Sequence, residues 1–183
     1  VELINDSITQ ISENGISCEG NKFFDVDVII YATGFQTTKM LWPMKISGIN
    51  GVNITDAWRD GPRAFCGVTV PQFPNLFCMY GPNTNVVVNA SIIIFSECEI
   101  HYIMKCLELL LKSEFRSMEC LKSFHDDYND WIDEGNLKTA WGSSQVENWY
   151  KNEDGRVTLN WPFSVLQFWL KTRHASPEHY KFR

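Results

Sequence analysis

Residues 70–91 read V-P-Q-F-P-N-L-F-C-M-Y-G-P-N-T-N-V-V-V-N-A-S. The apolar run 76–80 predicts a short buried strand, stopped by Gly81-Pro82-Asn83. A polar loop follows, and a helix opens near Asn89. A strand handed through a tight turn to a helix start presents N–H groups that carry partial positive charge. Such a bend is a place to hold an electron-rich ligand.

The surrounding composition narrows what that ligand site belongs to. The chain has 183 residues, 44% hydrophobic and 14% aromatic, enough for a packed core. Its 16 basic and 22 acidic residues give a net charge of −6, which argues against a nucleic-acid or anionic-membrane surface. The most apolar stretch, 92–111, carries Glu97, Glu99, Lys105 and Glu108, so no membrane span is predicted. Cys18, Cys66, Cys78, Cys98, Cys106 and Cys120 form no C-x-x-C pair. They read as buried free thiols in a reducing, cytoplasmic setting. His101, His125, His174 and His179 make no metal-ligand pattern, and no metal site is predicted. The first residue is Val1, not Met, which suggests a piece of a longer polypeptide.

Outward from the bend, Asn14-Gly15 predicts a hairpin between 8–11 and 16–18, with a second turn at 19–22. The run 26–31 reads as a strand buried on both faces, ending at Ala32-Thr33-Gly34-Phe35. Residues 36–74 are punctuated by glycine and proline and read as long ordered connection of the kind that lines sites. Within them, 54–58 fits one helical turn and 64–70 a short strand. Residues 89–112 form the clearest helix, capped by Asn89 or Ser91 and apolar nearly all round, hence buried. A strand at 116–121, a helix at 122–134 stopped by Gly135, a hairpin around Glu153-Asp154-Gly155 and a helix from Pro162 to Thr172 complete the order. The tail from His174 to Arg183 reads as polar and ends basic.

The block D-V-I-I-Y-A-T-G-F at 27–35, the run V-P-Q-F-P-N-L-F at 70–77 and Y-G-P-N at 80–83 resemble the C-terminal part of class B flavoprotein monooxygenases. The longer Y-G-P-N-T-N-V-V-V-N-A-S-I-I-I-F-S-E-C-E at 80–99, with N-W-Y-K-N at 148–152 and N-W-P-F-S at 160–164, is most similar to the Baeyer–Villiger enzymes of the 4-hydroxyacetophenone monooxygenase type. The resemblance spans the whole chain. It implies an α/β fold: the C-terminal part of a Rossmann-like FAD-binding domain, with a long buried helix and a terminal β-hairpin plus helix. The expected divisions are strands at 1–35, a flavin-proximal segment and buried helix at 36–112, and helices with a hairpin at 113–183.

That family binds FAD and NADPH through G-x-G-x-x-G loops, and none occurs here. The chain is therefore expected to be one part of an FAD- and NADPH-dependent monooxygenase and to be inactive alone. The missing N-terminal regions would be its partners, with a ketone and O2 as substrates, and a homo-oligomer is possible. Nitrogen or sulfur oxygenation, or a stand-alone non-catalytic binding role, are the alternatives. The resemblance assigns cofactor proximity to Thr33, Gly34, Gly81, Pro82, Asn83, Asn89, Ala90 and Ser91, and NADP contact to Trp149; no catalytic residue is assigned. Arg59 and Arg63 read as surface residues, and Asp126, Asp127 and Asp130 as the wet face of a helix. Val86, Val87, Val88 and Trp42 are expected to be exposed and to promote self-association.

Overall fold

The computed structural model describes residues 1–88, 90–145 and 147–183. Two units are distinguished, Val1–Phe35 and Gln36–Arg183. In the first, β1 (Ile8–Ser12), β2 (Gly15–Cys18) and β3 (Lys22–Asp25) form an antiparallel meander. The Asn14-Gly15 turn forms as the sequence predicts, with Ser12 paired to Gly15 and Ile16 to Phe24. Gly15 sits at φ +154°, and a Cβ there would lie 2.0 Å from the Phe24 carbonyl oxygen, so only glycine fits.

Residues 26–35 depart from expectation. They form no strand, and Val28, Ile30, Tyr31 and Phe35 are exposed, the last at 90%. A strand buried on both faces needs hydrogen-bonded neighbours at its edges and layers above and below. Among the described residues nothing supplies them. Thr33 and Gly34 are likewise exposed, and Gly34 takes φ +81° with open space around it.

The second unit is built on α1 (Ile54–Ala57), α2 (Ile92–Leu111), β4 (Met118–Cys120), α3 (Lys122–Leu137), α4 (Val165–Thr172) and β5 (Tyr180–Phe182). The expected helical turn at 54 is α1, capped by the Asn53 side chain on Thr55 N. Ser91 caps α2, its hydroxyl accepting from Ile93 N at 3.2 Å. Asn89, the other cap weighed, lies outside the described residues. Helix α2 is not buried all round. Phe95, Cys98, Glu99, Tyr102 and Cys106 face the core, while Ile93, Ile100, Met104 and Leu111 are exposed. Apolar periodicity marks faces that favour burial; whether a neighbour covers each face is a separate, non-local matter.

The core joins α2, α3 and α4. Phe95 stacks on Phe168 at 4.3 Å between ring centres, and Trp131 stacks on Phe163 at 4.1 Å. Helix α3 buries Tyr128 and Ile132 as its pattern predicts, but it runs through Gly135 to Leu137. That glycine is a point of close approach and not a stop: a Cβ would lie 2.4 Å from Phe163 Cζ. The last helix begins at Val165, not Pro162, because Ser164 and Gln167 form a reciprocal capping box.

Other segments differ in kind. Residues 76–80 are irregular and not a strand, with Cys78 N bonded to Val68 O and Tyr80 at φ +51°. The predicted strand at 64–70 reduces to one bridge, Phe65 to Thr69. The hairpin around 153–155 likewise keeps a single bridge, Lys151 to Val157. The tail supplies β5, which pairs antiparallel with β4. It is fixed by the buried Tyr180 hydroxyl, 2.7 Å from that of Tyr102. All six cysteines are buried free thiols. Burial pushes Cys78 and Cys106 up to about 11 and Cys120 up to about 12.

Candidate functional site

Gly81-Pro82-Asn83-Thr84 forms a buried turn at the centre of the second unit. Gly81 is needed for packing: a Cβ would lie 1.9 Å from the Gly67 carbonyl oxygen. The Asn83 side chain is fully committed. Its Nδ2 donates to Val157 O at 3.0 Å and Asn160 O at 3.2 Å, and its Oδ1 accepts from Arg156 at 3.3 Å. Arg156 also donates to Pro62 O at 3.0 Å and pairs with Asp133 at 3.0 Å. Asp133 in turn binds Arg63 at 2.7 Å, so Arg63 is a structural ion-pair partner and not a free surface charge. Burial lowers the Arg156 pKa, and Asp133 opposes that shift.

Beneath the same turn lies Glu99, fully buried on α2. Its carboxylate accepts from Tyr80 N at 2.9 Å, holding a residue whose left-handed backbone conformation is otherwise unfavourable. Burial raises the Glu99 carboxyl above its ordinary range, with the Tyr80 N–H as the main opposing influence. Charge count and helical position give no sign of this role; in sequence, a charge on a mostly apolar helix speaks only against a membrane span.

After this sealed turn the chain opens. Val87 and Val88 are exposed, Val88 at 61%, and so are Ala90, Ser91 and the first residues of α2, with Ile93 at 66%. Beside this stretch, a cavity of about 420 Å³ is lined by Thr37, Tyr80, Gly81, Asn85, Val87 and Trp149, among others. The Trp149 ring is 59% exposed and lies 5.2 Å from the Tyr150 ring. Its carbonyl accepts from Thr37 Oγ1 at 2.8 Å. The Tyr80 hydroxyl donates to Asn85 Oδ1 at 2.6 Å. Burial, then the nearby Glu99, raises the Tyr80 hydroxyl pKa.

Of the residues singled out from sequence, the structure brings Gly81 and Trp149 to one cavity. It seals Pro82 and Asn83 inside the packing and leaves Ala90 and Ser91 on the open stretch. Asn89 lies outside the described residues, and Thr33 and Gly34 belong to the other unit. Sequence reasoning missed Tyr80, Asn85 and Thr37 as lining of this cavity, Thr37 reaching it across the 112 residues that separate it from Trp149. The apolar, aromatic and hydroxyl lining suits a planar aromatic group. The positive end of a 20-residue helix nearby suits one that carries negative charge. By those tests the residues after the sealed turn fit a flavin or nicotinamide ring, whereas Asn83 has no free side-chain group to offer one. Among the described residues, no cluster of His, Cys, Asp or Glu could hold a metal ion, and no helix is long and apolar enough to cross a membrane.

No protein-family model matches the chain. The chain has the fold of the C-terminal part of Baeyer–Villiger flavoprotein monooxygenases. It superposes on the OTEMO complex with FAD and NADP with a TM-score of 0.79 at 20% identity, covering 97% of this chain and 34% of that one. By sequence it is 30% identical over 179 residues to a Baeyer–Villiger monooxygenase of Pseudomonas aeruginosa, covering 97% of this chain and 34% of that protein. It is 32% identical over 183 residues to an uncharacterized monooxygenase of Mycobacterium tuberculosis, covering 100% of this chain and 36% of that protein. The chain is thus similar to flavin monooxygenases of the Baeyer–Villiger type and spans about a third of the length of the curated relatives it matches.

Proposed function

We propose that this chain acts as the C-terminal part of an FAD- and NADPH-dependent monooxygenase that converts a ketone to an ester or lactone. The overall change balances as ketone + O2 + NADPH + H⁺ → ester + NADP⁺ + H2O. Reduced FAD, when bound, supplies the oxygen activation. The chain's own residues orient and dry the site. Val87, Val88 and Ile93 offer an apolar surface that sheds water when covered. Trp149 and Tyr80 offer aromatic faces to a planar ring. The α2 start and its Ser91 cap favour an anion near their N–H groups. Residues 32–35, A-T-G-F, belong to the same assembly by resemblance, with Thr33 and Gly34 near the cofactor.

The observation that carries this reading is the open apolar stretch at the start of α2 beside the Trp149 cavity, in a chain similar from end to end to monooxygenases. The glycine loops that cradle dinucleotide phosphates are absent from these 183 residues, so the chain alone is expected to be colourless and unable to oxidise NADPH. The test compares it with the longest gene product that contains it. The longer protein is expected to purify yellow, consume NADPH and O2 with a ketone, and add 16 mass units to the product. A longer protein without flavin, or a 183-residue chain carrying stoichiometric flavin, would refute the proposal.

A further inference from the structure

Six residues, through their side chains and the backbone carbonyls of Asn160 and Trp141, join the two aromatic walls of the Trp149 cavity within the second unit. The Tyr80 hydroxyl donates to Asn85 Oδ1 at 2.6 Å, and Asn85 Nδ2 donates to Asn160 Oδ1 at 2.7 Å. Asn136 Nδ2 donates to Asn160 O at 3.1 Å. Trp141 Nε1 donates to Asn136 Oδ1 at 2.9 Å. Asn148 Nδ2 donates to Trp141 O at 2.9 Å, and Asn148 Oδ1 accepts from Tyr150 N at 3.1 Å. The run begins at one wall and ends at the peptide that carries Trp149.

Amides suit this task. Each offers a donor and an acceptor on one rigid plane, so it links two neighbours in a fixed direction without burying a charge. Asn136 and Asn160 are buried, at 3% and 0% exposure; Asn136 uses both its amide nitrogen and oxygen in the run, and Asn160 links through its side-chain oxygen on one side and its backbone oxygen on the other, its own amide nitrogen having no partner. We infer that Asn136 and Asn160 are positioning residues that set the Trp149 ring relative to Tyr80 across the cavity. The inference rests on reading that cavity as the ligand cleft. Neither residue lines the cavity, so each acts through Trp141 and Asn148 on one side or Asn85 on the other. Two backbone-centred bonds hold the same wall independently, Thr158 N to Tyr150 O at 3.0 Å and Thr37 Oγ1 to Trp149 O. They keep the fold of the wall when the amide run is cut, and the ring's set is what changes.

The test labels the full chain with 5-fluorotryptophan and follows its seven tryptophans by 19F NMR, with the Trp149 resonance assigned through Trp149→Phe. Trp141→Phe removes one N–H donor and keeps an aromatic ring in place; Asn136→Leu cuts the run at its centre. In both, the Trp149 resonance is expected to shift by more than its linewidth or to split, while those of Trp58 and Trp169 stay. Ser143→Ala, close by but outside the run, is expected to leave all seven unchanged. An unmoved Trp149 resonance in Trp141→Phe overturns the inference, whatever happens to thermal stability, and that variant alone decides if Asn136→Leu fails to fold. No flavin or nucleotide enters the measurement, so a failed test of the proposed function leaves this result standing, and the reverse holds.

Discussion

Removing the Asp133 carboxylate is the sharpest test of how the sealed turn is held. Asp133 pairs with two guanidinium groups, Arg156 at 3.0 Å and Arg63 at 2.7 Å. The Arg156 side chain is only 13% exposed and also grips Asn83 and Pro62. Asp133→Ala leaves these cations uncompensated away from water, a change that costs about 3–5 kcal/mol when one partner of a buried pair is lost. At roughly 2–4 °C per kcal/mol for a chain of this size, the melting temperature is expected to fall by about 6–20 °C. Urea unfolding followed by circular dichroism measures the free-energy loss, and thermal melting measures the shift in temperature. Adding Arg156→Met in the same chain removes one stranded cation and is expected to recover about 1 kcal/mol or more, although Asn83 then lacks a donor. A loss under about 1 kcal/mol for Asp133→Ala, or a double variant less stable than the single one, would refute the view of this triad as a largely buried ion-paired clamp.

Three further outcomes are expected. Glu99 has its carboxyl raised by burial, so its favourable contribution is complete below the ordinary carboxyl pKa and is lost as pH rises through the elevated folded value. Stability relative to Glu99→Gln is therefore expected to decline with rising pH, and parallel stability–pH curves would contradict this. Gly81→Ala forces a methyl group onto the Gly67 carbonyl and is expected to destabilise by about 1–3 kcal/mol or more, read by thermal melting; a neutral effect would show that the turn yields. Trp149→Ala removes a largely exposed ring and is expected to alter stability by no more than about 0.5 kcal/mol. In the longer gene product it is expected to weaken NADP⁺ binding, measured by titration, and unchanged affinity there would remove Trp149 from the site.

Local signals were legible where local chemistry decides the outcome. Ser91 caps α2 because its hydroxyl reaches an N–H two residues away, and Asn14-Gly15 turns because glycine tolerates its dihedral angles. The α3 face was legible because Tyr128 and Ile132 recur at helical spacing. What failed depends on distant partners. The apolar run 26–31 carries strand chemistry, but pairing comes from elsewhere in space. The apolar circumference of α2 gave no indication that Ile93, Ile100 and Leu111 would face outward. Asn83 looked available for a ligand because nothing in its neighbours announces Arg156, Val157 and Asn160, all more than 70 residues on. The polar tail hid a strand because its partners are distant in sequence: β4, with which it pairs, and Tyr102, whose hydroxyl meets that of Tyr180.

The buried cysteines carry a practical consequence. With Cys78 and Cys106 pushed up to about 11, only about one thiol in ten thousand at either position is ionised at neutral pH, and the thiolate is the reactive form. Alkylating reagents and peroxide should therefore pass these sulfurs by while the chain stays closed, and modify them once it opens. The rate at which a maleimide is taken up thus becomes an internal clock for breathing of the core, readable by mass spectrometry in a crude extract.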